Sequence, residues 1–183
     1  ESTIEIAGRM MRLPAGSFFQ TNLALLPAVI ERMEERIAGR EWQHAADVYG
    51  GVGTLGLPLA RHVQHMTIVE LDACAVEAAR ATASDWGLHN VEFVSRHAER
   101  TLSRETGFDL VIVDPPRSGL GEPVLVALQS SRPRLILYLS CSPASLSRDL
   151  AVLSASGYRV ESLEIFDFYP QTYHVESLSI LSL

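Results

Sequence analysis

The sequence predicts an α/β fold: a mostly parallel sheet wound on both faces by helices, with one antiparallel strand near the carboxyl-terminal end. Three observations carry that prediction. Short apolar runs alternate with helical patterns from about residue 45 to about residue 155, as expected of a sheet buried on both faces. Runs 108–113 and 135–139 are apolar almost throughout, short enough for strands and bounded by turn residues. The final two runs, 158–166 and 174–181, follow one another with no helix between them, which makes one of them antiparallel.

The elements follow in chain order. Residues 1–12 show no basic start followed by an apolar stretch, so no signal peptide is expected in them. Residues 23–38 have helical periodicity, broken early by Pro27. Residues 45–49 read as a strand, 50–53 as a Gly-rich turn, and a helix then runs to about His62. Residues 66–70 are an apolar strand ending in an acid, and 73–86 a helix closed by Gly87. A short strand at 91–95 and a helix at 97–104 lead to the buried strand 108–113. A helix over 123–131 has Pro123 in its first turn, which suits proline. Strand 135–139 and helix 143–155 precede the closing pair of strands.

Size and composition bound the rest. A chain of 183 residues, 47% of them apolar, supports one domain over 1–183 with a substantial core. Its charged fraction of 20% argues against disorder. No apolar run approaches the roughly 20 residues of a spanning helix. The first residue is Glu rather than Met, and the expectation is a piece of a longer protein. Fifteen basic residues, all Arg, stand against 22 acids, giving a net charge of −7. That field repels nucleic acid, so an RNA contact must use a local Arg patch or a separate basic domain. Cys74 and Cys141 form neither a CxxC nor a disulfide framework, and free thiols in a reducing cytoplasm are expected. His62 and His65 are spaced for one helical turn, but no ligand accompanies them at zinc spacing, so no metal is expected.

In such sheets a ligand sits beyond the carboxyl ends of the strands, where the strand order reverses. Gly51-Val52-Gly53-Thr54-Leu55-Gly56 satisfies GxGxxG between a strand and a helix, and Glu70 ends the next strand. Gly51 and Gly53 admit close approach, and Glu70 can accept from ribose hydroxyls, which together describe a site for an adenosine-containing cofactor. A turn that needs glycine for backbone reasons alone is the competing account. The motif leaves open a dinucleotide or S-adenosylmethionine. Asp47-Val48-Tyr49 before the glycines is closer to methyltransferase usage.

Three further segments reach the same edge. Asp114-Pro115-Pro116-Arg117 follows directly on the buried strand 109–113. Its prolines stiffen the loop and leave their carbonyls free to accept, and Asp114 faces the crevice. For Arg117 a salt bridge or a plain surface position is nearly as good an account. Cys141 sits where a buried strand turns into a helix with Pro143 in its first turn. The helix dipole there favours a thiolate with a lowered pKa, although a buried Cys is otherwise a small hydrophobe. Cys74, inside an apolar helical pattern, fits that second description. His174 and Glu176 share one face of the final strand, where a solvated strand end is the default.

Taken together, these segments resemble the catalytic domain of the RNA uracil-5-methyltransferases, which make 5-methyluridine in tRNA or ribosomal RNA. The matching segments are Ser17-Phe18-Phe19-Gln20-Thr21-Asn22, residues 47–53, Val69-Glu70, Asp114-Pro115-Pro116-Arg117, Ser140-Cys141-Ser142-Pro143 with Arg148-Asp149, and His174-Val175-Glu176. They run in the family's order over nearly the whole length. The resemblance implies a Rossmann-like class I methyltransferase fold with S-adenosylmethionine as methyl donor. It implies that the donor is held by residues matching Gln20, Tyr49, Glu70 and Asp114, with Thr54 and His97 at positions that commonly add contacts. The family nucleophile matches Cys141 and its general base matches Glu176. Without the resemblance Gln20 is only a polar residue before a helix. Relatives usually carry an upstream OB-type RNA-binding domain, and some carry cysteines for an iron–sulfur cluster; neither is seen here. Gly50 stands where many relatives have Cys, and His97 where Asn is common.

The implied reaction transfers a methyl group to C5 of a uridine in tRNA or rRNA through a covalent bond between Cys141 and C6, with Glu176 removing the C5 proton. A cytoplasmic enzyme with an RNA partner is expected. Two alternatives use fewer of these residues. A nicotinamide dehydrogenase would share the glycines and Glu70 but leave Asp114 to Arg117 and Cys141 without a role. A methyltransferase-like domain that only binds cofactor or RNA would need none of the catalytic side chains.

Overall fold

The computed structural model describes residues 2–6, 8–16, 19–20, 22–104, 107–172 and 174–183. A two-stranded antiparallel hairpin, β1 (Ser2–Ile6) and β2 (Arg9–Leu13), precedes the main body. The body is a seven-stranded sheet of β3 (His44–Val48), β4 (His65–Glu70), β5 (Val91–Ser95), β6 (Leu110–Val113), β7 (Leu135–Ser140), β8 (Arg159–Phe166) and β9 (Glu176–Ser182). Its spatial order is β5-β4-β3-β6-β7-β9-β8. All neighbours from β5 to β7 are parallel, and β9 runs antiparallel to both β7 and β8. The predicted class I methyltransferase architecture is therefore present, antiparallel strand included. The strand order reverses between β3 and β6, which opens a crevice at their carboxyl ends.

Among the described residues, six α-helices cover the sheet: α1 (Leu26–Ile37), α2 (Gly56–Leu59), α3 (Ala73–Asp85), α4 (Ala98–Arg104), α5 (Gly121–Ser131) and α6 (Pro143–Ala155). One core lies under α1, α2 and α3, with Met33, Ile37, Leu57, Ile68 and Ile112 among its members. The other lies under α4, α5 and α6, with Leu102, Val111, Leu128, Tyr138 and Leu153. Strands β6 and β7 are buried at every position. That is why their sequences carry no polar alternation.

Several boundaries differ from expectation for local reasons. Pro27 lies in the first turn of α1 and starts that helix rather than breaking it. The predicted helix up to His62 is only α2 followed by a 3-10 turn, Ala60–His62. His62 and His65 therefore share no helix, and they face Glu34 and Glu92 separately. Strand β9 starts at Glu176, two residues after His174. The hairpin was not expected, because half of its side chains are exposed and they show no clear alternation. It is held by Ile6 and Met11 in the core, by Arg12 N–H donating to Thr82 Oγ1 (3.0 Å), and by Trp86 Nε1–H donating to the Met10 carbonyl (2.8 Å). Among the described residues, no helix is long and apolar enough to cross a membrane.

Candidate active site

Five strand ends meet at one edge. Parallel strands β3, β4, β6 and β7 deliver Tyr49, Glu70, Asp114 and Cys141 there by ending, and antiparallel β9 delivers Glu176 by beginning. Ser140 pairs with Ser177 in the β7–β9 register. Cys141 follows Ser140 and Glu176 precedes Ser177, so the polarity of this strand pair brings the two residues assigned to chemistry to the same edge.

The Gly-rich turn is built for close approach. Tyr49 leaves β3 in the left-handed region (φ 64°), an uncommon conformation for a bulky residue. Its hydroxyl donates to the Leu120 carbonyl (3.3 Å), tying the turn to the 114–120 loop. Gly53 N–H donates to the Gly50 carbonyl (2.8 Å), and the Gly56 N–H donates to Asp47 Oδ2 (2.8 Å). A Cβ at Gly50 would lie 2.6 Å from Ile68 Cγ2, so no side chain fits there without a shift. A Cβ at Gly51 would meet nothing within 4 Å, because that glycine faces open space. Glu70 is oriented by the turn itself: Gly51 N–H donates to its Oε2 (3.0 Å), and Asp72 N–H to its Oε1 (2.9 Å).

Gln20, Tyr49, Gly51, Glu70, Asp114, Cys141 and Glu176 line one cavity of about 470 Å3. Thr54 lines a smaller adjoining recess of about 30 Å3, shared with Gln20, Tyr49, Gly51 and Asp114. Gly53 and His97 line neither. Gly53 turns the backbone (φ 83°) against Leu57, and His97 is exposed, with Nδ1 3.9 Å from Glu99 Oε1. Of the Ser17 to Asn22 segment, Ser17, Phe18 and Thr21 lie outside the described residues. Gln20 Nε2 donates to Asp114 Oδ2 (2.7 Å), while Gln20 Oε1 is buried without a partner.

Asp72 and Ala75 also line the cavity and were not singled out from the sequence. Both belong to the start of α3, where Asp72 caps the helix by accepting from Cys74 N–H. The helix N-cap directly after Glu70 was the available signal. Tyr169 lines the cavity as well, from the aromatic loop before β9.

Burial controls the charges. It pushes the Asp114 carboxyl up to about 7, partly opposed by the Gln20 hydrogen bond. It pushes Glu176, which is only 2% exposed, up to about 8; Asp114 adds to the rise and Arg117 opposes it. Asp47 is likewise raised to about 7 by burial, with Oδ1 unpartnered. Three expectations are corrected here. The Cys141 thiol is raised, not lowered: burial comes first, then the repulsion of Glu176 and Asp114, and Arg117 alone among the side chains pulls it down. Cys74 is exposed in the first turn of α3, not packed in the core. The Pro116 carbonyl is not free, because it accepts from Gly119 N–H (2.8 Å). Both cysteines are free thiols.

Comparison with known proteins bears directly on this arrangement. The model of the tRNA (uracil-5-)-methyltransferase family matches residues 1–182. The chain belongs to that family. A curated RNA methyltransferase of Thermosynechococcus vestitus is 38% identical over 97% of this chain and 40% of its own length. The 23S rRNA (uracil(1939)-C(5))-methyltransferase of Pseudomonas savastanoi is 36% identical over 92% of this chain and 38% of its own length. The chain thus spans about two fifths of the curated relatives it matches. The crystal structure of Pyrococcus abyssi tRNA (uracil-54, C5)-methyltransferase in complex with S-adenosyl-L-homocysteine superposes with a TM-score of 0.85. It is 31% identical, covering 98% of this chain and 44% of that one.

Proposed function

We propose that this chain is the catalytic domain of an enzyme that methylates C5 of a uridine in RNA, with S-adenosylmethionine as donor. The observation that carries the proposal is that a thiol and a buried carboxyl, Cys141 and Glu176, line one cavity, each next to a paired residue of β7 and β9. These lie in the same cavity as Gln20, Glu70 and Asp114. Family membership and the methyltransferases among its relatives support the same reading.

The cavity suits the donor. Glu70, fixed by the turn and the start of α3, presents a carboxylate of the kind that accepts from ribose hydroxyls. Gly51 leaves room beside it. The unpartnered Gln20 Oε1 is a buried acceptor awaiting a donor, and such groups carry a cost unless they are satisfied. Thr54 and Tyr49 extend the lining. When bound, S-adenosylmethionine supplies an electrophilic methyl group.

The chain's own residues do the rest. C5 of uracil is a weak nucleophile. Cys141, deprotonated to the thiolate, adds to C6; the C5–C6 double bond breaks and places the electron pair at C5, which bonds the methyl carbon as that carbon's bond to the donor sulfur breaks and leaves its electron pair there. C5 now bears both a methyl group and a hydrogen. The ionised form of Glu176, a minority at pH values below about 8 but populated near it, takes that proton as a general base, the double bond re-forms, and the sulfur leaves. A pyrimidine stacked in a helix cannot meet both groups, so the uridine is unstacked or flipped into the cavity. Transfer of labelled methyl from S-adenosylmethionine to undermethylated tRNA and rRNA tests the proposal. Incorporation at uridine C5 supports it, and binding of the donor with no transfer to either RNA counts against it.

A further inference from the structure

The loop after β6 is fastened to α6 far more firmly than a surface loop requires. Gly119 N–H donates to the Pro116 carbonyl (2.8 Å) and closes a tight turn. Ser145 Oγ donates to the Arg117 carbonyl (3.0 Å), and Arg148 Nη2 to the Ser118 carbonyl (2.8 Å). Leu120 N–H donates to Asp149 Oδ2 (2.9 Å). Asp149 is fully buried and also accepts from the Tyr138 hydroxyl (2.7 Å) and from Arg148 Nε and Nη2 (3.0 and 2.8 Å). A Cβ on Gly119 would come within 2.5 Å of both Arg148 Nη2 and Asp149 Oδ2, so this loop and helix meet without space for a side chain.

None of Tyr138, Ser145, Arg148 or Asp149 lines the cavity, but Arg117 does. Cys141 lies between β7, which supplies Tyr138, and α6, which supplies the other three. The network therefore locks the loop carrying Arg117 to the two elements that flank the thiol. Arg148 is exposed while Asp149 is buried, and an ion pair with an exposed partner adds little net stability, so geometry is the better account of it. The groups acting on the Cys141 sulfur are Glu176 from β9, Asp114 from the end of β6, and Arg117; Tyr169 also lines the space. Among the described side chains lining the cavity, only Arg117 is cationic.

We propose that Arg148 and Asp149 are positioning residues for the thiol chemistry: they clamp residues 117–120 onto α6 and so keep the Arg117 side chain at the cavity that Cys141 also lines. The proposal rests on Cys141 being the nucleophile, and its test needs neither RNA nor cofactor. In a Cys74→Ser background, iodoacetamide alkylation of Cys141 is followed against pH by mass spectrometry. Arg117→Ala and Arg148→Ala should each slow alkylation near neutral pH by roughly three- to tenfold and move the profile to higher pH, the effect of losing one nearby charge. If Arg148 acts through Arg117, the double variant is no slower than Arg117→Ala alone. Ser145→Ala, which changes no charge, should shift the profile in the same direction by less.

Additive slowing in the double variant, or an Arg148→Ala profile superimposable on the parent, overturns the clamp. Should Arg148→Ala fail to fold, Ser145→Ala decides: an upward shift supports the clamp and an unmoved profile overturns it. Loss of methyl transfer beside an intact alkylation result would count against the proposed reaction and leave the clamp standing.

Discussion

At the scale of single residues, the site separates binding from chemistry. Glu70 is held by backbone donors of the turn and of the α3 start, whereas Cys141 and Glu176 sit at the β7–β9 end of the same cavity lining. Cys141→Ala should lower methyl transfer by about a thousandfold or more while donor affinity by calorimetry stays within about threefold. Glu70→Ala should do the reverse first, weakening donor binding about tenfold through loss of the ribose contact. Equal loss of affinity in both variants would contradict this division. The residues' identities were legible in the sequence because they fall at strand ends. Their ionisation was not. The start of α6 suggested a low thiol pKa, but burial and two nearby acids outweigh the helix. Glu176 looked like an exposed strand end, and only the pairing of β9 between β7 and β8 buries it.

At the scale of elements, the sheet was readable because full burial removes polar alternation, as in β6 and β7. The β1–β2 hairpin was not, since its stability comes from contacts with α3, distant in sequence. Asp47, buried and bonded to Gly56 N–H, shows what the Gly-rich turn requires: the glycines make room for a carboxylate and for Ile68 as much as for a ligand. Gly50→Ala should therefore destabilise the chain by about 1–3 kcal/mol through overpacking against Ile68, read as a lower midpoint in urea at unchanged m-value. An unchanged midpoint would mean that the turn yields freely.

At the scale of the whole molecule, the sheet gathers several carboxyl groups at one edge of an already acidic chain, and burial keeps three of them protonated to about 7 or 8. In each case the folded value exceeds the unfolded one, so the native state binds more protons across that range. The stability they contribute is full at low pH and is lost as pH rises through their folded values. His44, lowered chiefly by burial, acts in the opposite sense, but only below about pH 6.5. The melting temperature should therefore fall between about pH 6.5 and pH 8.5, and Asp47→Asn, which keeps an acceptor for Gly56 N–H, should flatten part of the decline. A melting temperature that rises over that interval would contradict the charge assignment. The account as a whole depends on the sulfur at position 141 bonding to the pyrimidine. RNA carrying 5-fluorouridine in place of uridine has no C5 proton for Glu176 to remove, so the sulfur cannot leave. Mass spectrometry after incubation with this RNA and S-adenosylmethionine should find a nucleotide bearing the methyl group on peptide 135–148, which contains Cys141, and none on the peptide bearing Cys74. Methyl transfer to ordinary RNA with no adduct on that peptide would contradict the mechanism.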